Sequence, residues 1–212
     1  MVVSFFNLTI TDVLSHGPTR QKLKESITIN AKPEDVWNLI KDFGKIDIWH
    51  PSISKVESDG KTRTIYYSPR NNTPIKQKLE SYNAEKMMYK TSITEVDIKS
   101  FPVSTYTANI SVKENDDGTS TVLWKGAFYR AYVNNDPPPE LNEAAAIKAV
   151  KEFFQAGLNN LKTQLDDDYG ISKLWIEYKI KVPSYIGLQD THTYIHKINK
   201  INVNSKIQNV DY

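Results

Sequence analysis

ESITINAKPEDVWNLIKDFGKIDIWHP, residues 25–51, reads as a strand, a helix and a second short helix that ends in Trp-His-Pro. Ile27 and Ile29 alternate with polar neighbours, as a half-buried strand requires. Pro33 suits a first helical turn, where its missing N–H is no loss, and Glu34 and Asp35 complement the positive end of the helix dipole. Val36, Trp37, Leu39 and Ile40 then give the helix an apolar face.

Downstream, strand patterns recur at 53–58, 62–68, 75–82, 86–96, 104–113 and 119–130, spaced as in an antiparallel meander. Asp59-Gly60 and Asp117-Gly118 are hairpin-turn dipeptides. In 104–113, Tyr106, Ala108, Ile110 and Val112 share one face, while Thr105, Thr107, Asn109 and Ser111 share the other. Asn134-Asn135-Asp136-Pro137-Pro138-Pro139 stops the last strand and launches a helix over 140–165. Ile147, Val150, Phe154, Leu158, Leu161 and Leu165 form its stripe, and about 39 Å of helix would cross a whole sheet. Gly157 is costly inside a helix and suggests the close approach of another backbone. The pattern predicts an α+β domain in which a seven-stranded antiparallel sheet wraps a long C-terminal helix, with two short helices after the first strand.

Two boundaries bracket that domain. Asp166-Asp167-Asp168 places like charges at the negative end of the helix dipole and is expected to end the helix. Leu174, Ile176, Tyr178, Ile180 and Val182 alternate with polar residues as a strand would, so 169–212 is a C-terminal extension: an added hairpin with 193–203 as the weaker partner strand, an interaction arm, or sequence outside the functional unit. At the other end, VVSFFNLTI is apolar but lacks a basic leader, and Val13 and Ser15 stand at positions −3 and −1 of a cut before His16. Residues 1–15 are a signal-peptide remnant or a misplaced start on one reading, and a frayed N-terminal strand on the other. The domain proper is 16–168.

Composition limits the function classes. The 212 residues are 39% hydrophobic and 11% aromatic, which excludes wholesale disorder. A net charge of +2 argues against a nucleic-acid binder, which concentrates basic residues on one face. No apolar run reaches the roughly 20 residues of a membrane span. No cysteine occurs, so disulfides, thiolate zinc sites and thiol nucleophiles are excluded. No Gly-rich phosphate loop or dinucleotide fingerprint appears, and no cofactor is expected. His16, His50, His192 and His196 are the only histidines. His192 and His196 have helical ligand spacing in a strand-like segment, and a metal brace at a processed His16 would need His50 as its second imidazole; no metal site is expected.

The 25–51 stretch resembles the opening of the START-like, Bet v 1-like (SRPBCC) superfamily of polyketide cyclases/dehydrases, lipid-transfer proteins and ligand sensors, with its strand and A-x-P-E-x-V-W-x-L-I-x-D-F helix. HGPTRQKLKESI at 16–27 and FYRAYVNNDPPPELNEAAAIKAVKEFFQAGLNNLK at 128–162 are similar to its MxaD-like branch. The resemblance spans about residues 16–165 and implies the helix-grip fold, in which Trp49 and His50 line the mouth of a cavity. Around that cavity it places Tyr106, Trp124, Phe128, Tyr132, Phe153 and Phe154 as ligand contacts. Arg130 alternates in phase with Phe128 and Tyr132 and is the candidate anchor for a carboxylate or phosphate.

Aromatic rings with few polar groups suit a hydrophobic or aromatic small molecule bound without turnover. The MxaD-like resemblance implies a periplasmic or secreted accessory protein of an alcohol (methanol) dehydrogenase system, its partners a quinoprotein dehydrogenase and its cytochrome. Two alternatives stay open. One is a polyketide cyclase/dehydrase-type enzyme with His50 as its acid–base; the other is a protein-binding module with a filled interior.

Overall fold

The computed structural model describes residues 17–181, in which the seven strands expected before the Pro-rich loop all form. β1 (Gln21–Ile29) alternates half-buried Leu23, Glu25 and Ile27 with exposed Lys22, Lys24 and Ser26. α1 (Pro33–Ile40) starts on its proline and buries Val36, Trp37 and Ile40. A 3-10 helix, Phe43–Ile48, follows at once; Asp42 caps it by accepting from the Gly44 N–H at 2.9 Å. Then come β2 (Ile53–Ser58), β3 (Thr62–Tyr67), β4 (Thr73–Asn83), β5 (Met88–Val96), β6 (Val103–Glu114) and β7 (Ser120–Arg130). Gly60 and Gly118 take the positive φ that their tight turns demand.

All seven strands join one antiparallel sheet in the order β1-β7-β6-β5-β4-β3-β2. Only the β1–β7 pairing is distant in sequence, and it sets Ile29 opposite Ser120 and Gln21 opposite Phe128. Register shifts interrupt the β4–β5 pairing twice and the β6–β7 pairing once, at Ser104/Thr107, where Thr105 has φ 47°. Such bulges bend and twist the strands that carry them, which lets the sheet curve around a helix.

α2 (Glu143–Lys181) supplies that helix. Asn142 accepts from the Ala145 N–H at its start. Ala146, Val150, Phe153, Phe154, Leu158 and Leu161 are buried in the shared core. Side chains of α2 also finish the backbone of its neighbours: Asn160 donates to the Trp49 carbonyl, Gln164 to that of Ile48, and Lys162 to that of Thr28. The carbonyls at the end of the 3-10 helix thereby gain partners that the short helix cannot supply itself.

Two expectations change here. The helix does not end at the aspartate run: Asp166 accepts the Asn30 N–H at 2.9 Å and pairs with Lys162 one turn earlier at 2.5 Å, so the charge is used within the helix. The strand expected from Leu174 is helical through Lys181. Ile171, Leu174, Trp175 and Tyr178 also satisfy i, i+3, i+4, i+7, the period that prevails. The chain divides after Tyr169 into two units, and the first carries everything described below. Residues 1–15 and the partner strand at 193–203 lie outside the described residues. Among the described helices, none is long and apolar enough to cross a membrane.

Candidate functional site

The 3-10 helix delivers Trp49 and His50 into the interior, where both are fully buried. The Ser52 N–H donates to His50 Nδ1 at 3.3 Å, so the ring proton sits on Nε2, which donates to the Phe153 carbonyl at 2.9 Å. Burial lowers the His50 pKa to about 4; the bond to Phe153 opposes the shift and the charge of Arg63 adds to it. The imidazole is therefore neutral at pH 7, with both nitrogens engaged inside the protein. Its ring lies on Phe153 at a centroid distance of 4.2 Å.

Gly157 explains why so many rings fit at one level of α2. A Cβ there would meet His50 Cδ2 at 2.8 Å and ring carbons of Trp49 and Trp124 at 3.0 Å each. The close approach expected at this glycine is real, but side-chain rings make it, not a backbone. Trp49 and Trp124 lie 5.6 Å apart, and Trp124 stacks on Phe154 at 4.4 Å with planes 10° apart. The Trp49 Nε1–H is buried without a hydrogen-bond partner among the described residues.

Of the residues expected around the cavity, Trp49, His50, Tyr106, Trp124, Phe128, Phe153 and Phe154 come together as one ring cluster. Phe101 links it, 5.8 Å from Phe153 and 6.2 Å from Tyr106, and Tyr106 stacks on Phe128. Tyr67 joins through Phe101 and Phe153. Tyr132 is half-buried, and its carbonyl accepts from Arg130 Nε at 2.7 Å. Arg130 is buried as its phase implied, yet its guanidinium also donates to the Asn134 carbonyl at 3.0 Å and pairs with Glu143. It ties the Pro-rich loop to the first turn of α2.

A second buried arginine was not singled out from the sequence. Arg63 of β3 is 4% exposed. Its Nε donates to Gln77 Oε1 at 2.8 Å and its Nη1 to the Phe43 carbonyl at 2.6 Å, while the guanidinium carbon sits 4.2 Å from the centre of the Phe43 ring. Gln77 is its cross-strand partner on β4, and the Tyr89 hydroxyl borders it. Burial pushes the phenols of Tyr89 and Tyr106 up, so both keep their protons. The missed signal was strand phase: Arg63, Ile65 and Tyr67 share the buried face, as Arg130 shares one with Phe128.

The geometry has counterparts in known proteins. A family model described as polyketide cyclase / dehydrase and lipid transport matches residues 20–166. The structure of the protein XoxI from Bacillus cereus is 28% identical with a TM-score of 0.59, over 68% of this chain and 94% of that one. An uncharacterised protein from Bacillus thuringiensis is also 28% identical, with a TM-score of 0.60 over 68% of this chain and 98% of its own. The Zhui aromatase/cyclase from Streptomyces sp. R1128, 14% identical, shares the fold with a TM-score of 0.58 over 70% of this chain and 94% of that one. A comparison with curated proteins gave no match.

Proposed function

This chain belongs to the polyketide cyclase / dehydrase and lipid-transport family, and from that premise we propose that it binds a hydrophobic or aromatic small molecule between its sheet and α2 without chemical turnover. The observation that carries this reading is the ring cluster: Trp49, Trp124, Phe128, Phe153 and Phe154 present stacked apolar faces, the lining that holds apolar ligands. The state of His50 supports binding over catalysis. A general acid–base works best with a pKa near the operating pH and a nitrogen free to reach substrate, whereas His50 is held neutral with both nitrogens bonded internally.

In its cellular role the chain is an accessory protein of the MxaD-like kind, exported to the periplasm or secreted, that assists a quinoprotein alcohol dehydrogenase and its cytochrome. The residues at 16–27 and 128–162 support this reading. The test titrates a naphthalene-like or polyketide-like aromatic into wild type and His50→Gln, following tryptophan fluorescence and the recovered ligand. Saturable binding with unchanged ligand is expected, and the substitution should alter affinity by about one hydrogen bond, 0.5 to 1.5 kcal/mol. Product formation that falls about 100- to 10,000-fold in His50→Gln at nearly constant affinity would establish an enzyme instead.

A further inference from the structure

We infer that Arg63 anchors the carboxylate of an acidic ligand, so that the small molecule bound in this interior is an aromatic or aliphatic monocarboxylic acid. The inference rests on the binding function proposed above and adds the ligand's charge. A guanidinium taken out of water is costly unless an anion and hydrogen bonds compensate it. Among the described residues no carboxylate pairs with Arg63, and its hydrogen-bond partners, the Gln77 amide oxygen, the Phe43 carbonyl and the Tyr89 hydroxyl, are neutral. The other buried arginine, Arg130, shows the compensated arrangement, with Glu143 against it.

The donors left over fit a carboxylate. A guanidinium has five N–H groups. The bonds to Gln77 and Phe43 use the Nε hydrogen and one on Nη1, and the Tyr89 hydroxyl takes a third, so two N–H groups are left for a carboxylate. The protonated hydroxyls of Tyr89 and Tyr106 both lie within electrostatic reach of Arg63. That of Tyr106 has no hydrogen-bond partner among the described residues. Tyr106 also stacks on Phe128 and meets Phe101 at its edge, so the polar end of the site continues into the ring cluster that takes the ligand's apolar body. A monoanion suits the site better than a phosphate, because His50 is neutral and Arg130 is held by Glu143, which leaves no second cation here among the described residues.

Matched probes test this on the full chain: 2-naphthoate against 2-naphthamide, and dodecanoate against dodecanol, each titrated by calorimetry. The acids should bind about 10- to 100-fold more tightly than their neutral partners, the range of a charge-assisted pair. Arg63→Met should bring the acids down to the affinity of the neutral compounds and leave the latter unchanged, while Tyr106→Phe should weaken only the acids, by a smaller factor. Equal affinity of acid and neutral partner in the wild type would overturn the anchor and leave the binding function standing, and needs no variant to fold. Acid preference that survives in folded Arg63→Met would overturn it as well. Failure of all four compounds to bind would overturn both readings.

Discussion

A methyl group at Gly157 would enter space already held by His50, Trp49 and Trp124. Alanine at this position gains about 1 kcal/mol of helix propensity and meets an overpacking cost of about 1 to 3 kcal/mol. Because three rings pack there rather than one flexible chain end, Gly157→Ala should be net destabilised by about 1 kcal/mol or more in denaturant melts; a gain in stability would mean that the rings can retreat. His50 makes a complementary prediction about pH. Its folded pKa, about 4, lies below the unfolded 6.5, so the unfolded chain binds more protons between those values. Stability from this group is intact above 6.5 and declines as pH falls toward 4, by roughly 3 kcal/mol at about 1.4 kcal/mol per pKa unit. Relative to wild type, His50→Gln should lose that slope across pH 4–7; parallel curves would place a proton on the buried ring. At this scale the sequence was half legible. Strand phase declares Arg130 and Arg63 buried, but partners come from tertiary contact: Glu143 closes on one, while Phe43 and Gln77 hold the other.

The elements themselves were largely legible. Strands expected at 53–58 and 62–68 form as Ile53–Ser58 and Thr62–Tyr67, because alternation and turn residues are local signals. The end of α2 was misjudged since dipole repulsion is weak beside a specific ion pair and an accepted backbone N–H, both on Asp166. Phe154 and Leu158 carry the helix's contact with the sheet; Phe154 also lies over Gly126, where a Cβ would meet its ring at 3.0 Å. Phe154→Ala and Leu158→Ala should each cost about 2 to 5 kcal/mol, and unchanged denaturant midpoints would contradict the packing. Asp166 and Lys162 fasten α2 to the end of β1 at Asn30 and Thr28, before the division after Tyr169. A chain ending at Tyr169 should therefore keep a cooperative melting transition. Its loss would move the domain boundary into the extension.

Across the whole molecule, sheet and helix meet through aromatic rings whose polar exceptions are few and specifically placed: a neutral, doubly bonded His50, an Arg63 with neutral partners and an indole N–H without one. The helix-grip architecture could be read from the order of strand, short helices, meander and long helix, each a local pattern. The interior chemistry could not, because it depends on which rings the sheet's curvature brings together. The central claim is that this interior holds a small molecule. Native mass spectrometry of the full chain purified from its own host tests it most directly. The expected result is a fraction of the protein carrying a discrete small-molecule mass, released unchanged on denaturation. A chain that is bare from the host, and gains no adduct when mixed with aromatic and long-chain compounds, would contradict the claim.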